Sequence, residues 1–271
     1  MGCAAMKYKT LGSTGMKVSM IGLGTVKLGR DQGVKYPATF KIPNDQEALS
    51  LIHCAKNLGV NLIDTAPAYG NSEERLGVLL KDQRKDWIIC SKVGEDFANG
   101  MSTHDFSKSH TMTSIERSLK RLQTDVIDIV LIHSDGKDLE IIHNSDVFET
   151  LAQLKKQGKI RAYGMSSKTV DGGIKAAELS DVMMVTYNLN EANEKPVLDY
   201  CRDHHKGVLI KKALASGHLN KVTDKDPVQQ SMDFIFQHAG VNSAIIGTIS
   251  EQHLTHNVEC ALRAYHKFHS V

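Results

Sequence analysis

The feature that most constrains this chain is an alternation that repeats along its 271 residues. Short apolar runs rich in β-branched residues occur at Val18 to Leu23, Asn61 to Asp64, Trp87 to Ser91, Val126 to His133, Ile160 to Gly164, Val182 to Tyr187, Gly207 to Lys211 and Ser243 to Gly247. Continuous apolar runs of this length fit strands buried on both faces, as in parallel sheets. The segments between them carry helix-start signals: Asp45 ahead of Ala48, Leu49, Leu51, Ile52 and Ala55; Ser72 followed by Glu73 and Glu74; Thr113 three residues before Glu116; Asp226-Pro227 ahead of Val228 and Met232. Parallel strands need long crossover connections, and a helix supplies one each time. Eight such units predict an α/β chain folded as a closed (β/α)8 TIM barrel. The stretch from Lys7 to Val18, with Gly12 and a Thr14-Gly15 turn, predicts a β-hairpin closing the barrel's bottom. Residues 1–271 then form a single barrel domain, with 1–6 as a disordered leader.

Composition narrows the functional classes. With 33 Lys+Arg against 31 Asp+Glu, the net charge of +2 offers no global attraction to nucleic acid or to an acidic membrane. Five scattered cysteines without a CxxC spacing suit reduced thiols in the cytoplasm better than a disulfide frame. No apolar run approaches the roughly 20 residues that span a bilayer. Met1-Gly2-Cys3 fails the myristoylation pattern because Met6 stands where Ser or Thr is required. The expectation is a cytoplasmic monomer or small homo-oligomer acting on a small molecule.

In a barrel the C-terminal strand ends converge on one mouth, so chemistry is sought there. The second run ends in Asp64 and its loop presents Tyr69; the third ends in Ser91-Lys92; the fourth ends in His133-Ser134. A phenol with an ordinary pKa of about 10 is protonated at neutral pH and can donate. Lys92 favours a developing phenolate, Asp64 pairs with Lys92, and His133 can hydrogen-bond the same carbonyl oxygen. Each residue alone reads more simply as a cap, a packing group, a snorkelling side chain or a core histidine. Their joint appearance after successive strands favours a general acid with electrostatic support. The long stretches Gly29 to Asn44 and Gly94 to Ser109 both follow a strand and are expected to be top-face loops.

From about Lys7 to its last helix the sequence resembles the aldo-keto reductases. The motifs are Gly22-Leu23-Gly24-Thr25, Asn61-Leu62-Ile63-Asp64-Thr65-Ala66-Pro67-Ala68-Tyr69-Gly70, Ser91-Lys92-Val93 and Leu131-Ile132-His133. The resemblance implies a catalytic tetrad of Asp64, Tyr69, Lys92 and His133, with hydride delivered from NAD(P)H to a carbonyl carbon and Tyr69 as acid. It places the cofactor across the mouth, touching Gly24, Thr25 and Asp64. It implies that Ser166 and Ser167, where the family has Ser-Asn, and Met184, where it has glutamine, meet the carboxamide. Lys211 stands where the family stacks an aromatic ring, and Lys212, Leu214 and Ser216 follow in its pyrophosphate loop. Gly247, Thr248, His253 and Asn257 match the adenosine segment. NADP(H) is favoured and NAD(H) is the alternative. Lys27, with Tyr69 and His133, is assigned to the substrate; Leu28, Asp31, Tyr36, Phe40 and Phe97 are further lining candidates, and Arg30 could attract an anionic carbonyl compound. His253 and His256 share a helix face with only Glu259 near, so no metal is expected. Two rivals follow: a cofactor-binding regulatory subunit with little turnover, and a barrel lyase using Lys92 as a Schiff-base amine.

Overall fold

The computed structural model describes residues 5–34, 36–217 and 226–269. Residues 1–4 of the expected leader lie outside them, whereas Met6 packs against the core. The chain opens with an antiparallel hairpin of β1 (Tyr8–Thr10) and β2 (Lys17–Ser19). The first barrel strand, β3 (Ile21–Gly24), follows, so Val18 belongs to the hairpin rather than to the barrel wall. Next come α1 (Val26–Gly29), α2 (Asp45–Asn57), β4 (Leu62–Asp64), α3 (Ser72–Leu79) and β5 (Ile88–Val93). A second hairpin, β6 (Glu95–Ala98) and β7 (Met101–His104), precedes α4 (Lys108–Arg121) and β8 (Ile127–His133). Then follow α5 (Asp138–Asn144), α6 (Val147–Lys156), β9 (Ile160–Ser166), α7 (Val170–Leu179), β10 (Val182–Thr186), α8 (Lys195–Asp203) and β11 (Gly207–Lys211). The chain continues through α9 (Pro227–Phe236), β12 (Ser243–Ile246) and α10 (Glu251–His269).

The eight expected strands close into a parallel barrel in the order β3, β4, β5, β8, β9, β10, β11, β12 and back to β3. Side chains alternate between its two faces because the strand period is two. Inward residues Leu62, Cys90, Ile129, Leu131, Ala162, Val182, Met184 and Leu209 fill the interior, and Leu11, Met16 and Val18 of the first hairpin join them. The expected hairpin therefore plugs the bottom with apolar side chains. Outward residues such as Ile63, Ile89, Val130, Met183 and Val208 pack with the helices in a larger cluster. Filling both faces is what makes these strands read as continuous apolar runs.

Two helix-start expectations shift. Helix α2 is capped by Asn44, which accepts from the Glu47 amide while Glu47 reaches back, so Asp45 is its first residue rather than its cap. Helix α4 starts at Lys108 with Ser107 as cap, leaving Thr113 inside it. The Asp226-Pro227 start holds, with Asp226 accepting from the Val228 amide.

Candidate active site

Strand β4 ends at Asp64, and a tight turn with Tyr69 N–H donating to Ala66 O carries the phenol back over the mouth. That turn lies against α1 because two glycines allow contact of backbone on backbone. Gly70 is left-handed at φ 62°, and a Cβ on it would stand 2.0 Å from Gly29 O; a Cβ on Gly29 would stand 2.3 Å from Tyr69 O. Ser72 opens α3 as expected, and its hydroxyl also donates to Thr25 Oγ1 at 2.8 Å and accepts from Thr65 Oγ1 at 3.0 Å. Thr25 in turn donates to Asp64 O at 2.9 Å, lacing the ends of β3 and β4 together.

Lys92 is 1% exposed and donates to Asp64 Oδ1 at 2.6 Å and Thr65 O at 2.9 Å. Its ammonium stands 4.8 Å from the centre of the Tyr69 ring. Burial pulls the Lys92 pKa down, but Asp64, with Tyr69 and Cys90, outweighs it and the ammonium is held well above its usual range. For Tyr69 burial is the largest influence and raises the phenol's pKa; Lys92 opposes it, and Asp64 and Tyr36 add to it. The phenol therefore stays protonated at neutral pH beside a fixed positive charge, which suits a proton donor.

His133 closes the group from β8, its ring edge-on to Tyr69 at 6.3 Å between centres. Its Nδ1 stands 2.6 Å from Glu95 Oε2. Burial lowers the His133 pKa and Glu95 opposes that fall. Burial also works against the Glu95 carboxylate, yet the His133 imidazole beside it, with help from Ser102 and His104, holds its pKa at about 2. Glu95 was not among the expected residues. It sits on β6, inside the stretch read as an irregular loop. The missed signal was Asn99-Gly100, the pair favoured in two-residue hairpins; both are left-handed here, at φ 53° and 79°.

Across the mouth the alternation sorts the remaining candidates. Ser166, Met184 and Lys211 face inward, Ser166 level with both His133 and Met184 and Lys211 with Thr186. Ser167, one residue on, faces away: its hydroxyl donates to Glu194 Oε1 at 2.8 Å, and it alone of the expected cofactor residues is off the cavity wall. Lys211 Nζ donates to Ser166 Oγ at 2.9 Å and to Ser167 O at 2.5 Å. Burial pulls the Lys211 pKa down to about 8, against the raising effect of Glu194. Glu194, itself raised by burial, also accepts from Thr186 N at 2.8 Å. The next loop is strained, since Lys212, Ala215 and Ser216 are all left-handed without being glycine.

These groups border one cavity of about 500 Å³. Its wall joins Asp64, Tyr69, Lys92 and His133 to Gly24, Thr25, Ser166 and Met184, then to Lys211, Lys212, Leu214 and Ser216, and finally to Gly247, Thr248, His253 and Asn257 at the start of α10. Lys27 and Tyr36 are on the wall, the lysine 4.0 Å from the Tyr36 ring centre. Leu28, Asp31, Phe40 and Phe97 are not. Leu28 is the buried residue of α1, and Phe97 carries the Arg30 guanidinium at 3.4 Å. Arg30 also donates to Ala68 O, so it clamps the Tyr69 turn to the β6 hairpin instead of facing the cavity. His256 is paired with Asp226 at 2.8 Å. Among the described residues no helix is long and apolar enough to cross a membrane.

Comparison with known proteins gives this geometry a family. The chain is 32% identical to the aldo-keto reductase YhdN of Bacillus subtilis over 81% of its length and 66% of that protein's. It is 31% identical to the NADH-specific methylglyoxal reductase of Escherichia coli over 82% of this chain and 72% of that one. The crystal structure of a Pseudomonas aeruginosa protein assigned as an aldo-keto reductase is 54% identical, covers 95% of each chain and superposes with a TM-score of 0.87. The profile of the Aldo/keto reductase family matches residues 20–233, and the chain belongs to that family.

Proposed function

We propose that the protein reduces an aldehyde or ketone to an alcohol with a nicotinamide cofactor, Tyr69 acting as general acid. The observation that carries this is the buried Lys92–Asp64 pair set beneath the Tyr69 ring, on the wall of the cavity that also holds His133. That cavity fits an extended dinucleotide. Glycines at 24 and 247 bring bare backbone to its wall, and a Cβ on Gly24 would stand 3.4 Å from Gly247 N. Ser166 and Lys211 would hold the carboxamide, Lys212, Leu214 and Ser216 the pyrophosphate, and Thr248, His253 and Asn257 the adenosine. When bound, the reduced cofactor supplies the hydride. Lys92 lowers the cost of negative charge on Tyr69 Oη as its proton passes to the carbonyl oxygen, and Asp64 keeps Lys92 in place. Lys27, held by the Tyr36 ring, lies where it can meet the substrate. The lysines and His253 favour NADP(H) through its additional phosphate. The relatives' names suggest small aldehydes and dicarbonyls as substrates.

The test follows NADPH and NADH absorbance with aldehydes, ketones and dicarbonyls for the wild type and Tyr69→Phe. Turnover that falls by about 10² to 10⁴ in the variant, with cofactor binding retained, is the expected result. Cofactor binding without turnover on any carbonyl would replace this reading with a regulatory subunit, and borohydride trapping of substrate on Lys92 would replace it with a lyase.

A further inference from the structure

We propose that Glu95 is a positioning residue that restricts His133 to donating toward the substrate oxygen only as the imidazolium. The inference rests on the carbonyl-reductase reading for its kinetic consequence, but its structural content stands on geometry alone. Gly94, left-handed at φ 97°, turns the chain directly after β5, and a Cβ there would strike the Phe106 ring at 2.3 Å. The turn folds the β6–β7 hairpin back so that Glu95 Oε2 lies 2.6 Å from His133 Nδ1, with side-chain exposures of 13% and 21%. The other carboxylate oxygen accepts from Ser102 Oγ at 2.6 Å, across the hairpin, which fixes the carboxylate's orientation. The Arg30 clamp on Phe97 and Ala68 O holds the hairpin against the Tyr69 turn.

The approach is too bent for a regular hydrogen bond, but a carboxylate oxygen this close repels a bare nitrogen lone pair, so the contact favours a proton on Nδ1 in both charge states of the ring. Nε2 is the one nitrogen left for the cavity. In the neutral ring it is a bare lone pair and cannot donate to a carbonyl oxygen; in the imidazolium it donates. The groups facing the pair are Lys92 and Lys211, which disfavour the imidazolium, and Glu95, which favours it; Arg30 and His104 face Glu95 itself. In the reduction the carbonyl oxygen takes one proton from Tyr69 Oη. His133 lends a hydrogen bond and gives up no proton, so the charge balance is set by Tyr69 alone. Reduction is then fastest below the His133 pKa and falls as pH rises through it. Removing the Glu95 charge lowers that pKa further, so the fall moves to lower pH.

Nitrogen-15 NMR of labelled histidine in the cofactor-free protein reads the tautomer directly, with His133 assigned by the signal missing in His133→Gln. The expected result is a neutral ring protonated at Nδ1 in the wild type. In Glu95→Gln, which keeps the side chain's shape, the His133 pKa moves down, and each unit of that shift lowers the imidazolium fraction above the pKa about tenfold. The fall in kcat/KM with pH moves by the same amount, while the cofactor's Kd stays unchanged. A neutral wild-type ring protonated at Nε2, or a His133 pKa unmoved in Glu95→Gln, overturns the proposal. If the wild type reduces no carbonyl, the functional reading fails, and the NMR result still decides the Glu95–His133 pair.

Discussion

The two sides of the barrel mouth are built differently. On the side of β4, β5 and β8 polar groups are held by short contacts: Lys92 to Asp64 at 2.6 Å, Thr25 to Asp64 O at 2.9 Å, His133 to Glu95 at 2.6 Å. On the side of β9 to β11 a lysine with its pKa drawn down to about 8 leans on Ser166, beside Met184 and a loop with three left-handed non-glycine residues. In the proposed reaction the first arrangement holds a charge constant while one proton moves. The second leaves a charge that changes near neutral pH in the position assigned to the cofactor. Under the proposed function the difference implies that proton chemistry and cofactor grip are separable and respond to different perturbations.

The largest effect should come from the first side. Tyr69→Phe removes the donor and little else, so the loss of about 10² to 10⁴ in kcat should leave nicotinamide affinity unchanged. If the two fall together, the sides are coupled and the contrast fails. Lys92→Met should also abolish turnover. Because it strands a buried carboxylate, it should cost about 3–5 kcal/mol of stability by urea denaturation. A variant of wild-type stability would show that Asp64 is not buried as a charge.

On the second side, Lys211→Met should weaken cofactor binding about tenfold at neutral pH, since a charged hydrogen bond contributes roughly 1.5 kcal/mol or more. The sign of the pH effect follows from the lowered pKa: the ammonium is present below about 8 and lost above it. Wild-type affinity, measured by fluorescence quenching, should therefore decline as pH rises through 8, whereas the methionine variant should show no such step. The smallest effect is expected at the hairpin tip. Gly100 sits at φ 79° and a Cβ there would meet only Gln32 Oε1, at an ordinary 3.8 Å, so Gly100→Ala should cost about 1 kcal/mol of stability with little change in kcat. A large loss of kcat would mean that the hairpin's position controls His133 more tightly than its turn chemistry implies.

Much of this was legible in the chain. The eight strands, the basal hairpin and the placing of Asp64, Tyr69, Lys92 and His133 at the mouth could be read because burial on both faces leaves an apolar signature and because strand ends must supply the mouth's polar groups. Ser167 could not be placed by motif alone: adjacent strand residues point to opposite faces, and Ser166 already takes the inner one. Glu95 escaped because its hairpin is polar and exposed, so no apolar alternation marked it; only Asn99-Gly100 did. Arg30 read as a charge for substrate, and the structure gives it to the Phe97 ring and a carbonyl.

The sequence by itself thus determined the barrel, its plug and which residue types reach its mouth, since hydrophobic periodicity and strand ends are local properties. Only the tertiary structure decided the pairings: that Lys92 is locked to Asp64, that Lys211 leans on Ser166, and that His133 answers to Glu95. Those contacts join residues far apart in the chain, and their energies depend on burial and distance that no local pattern encodes.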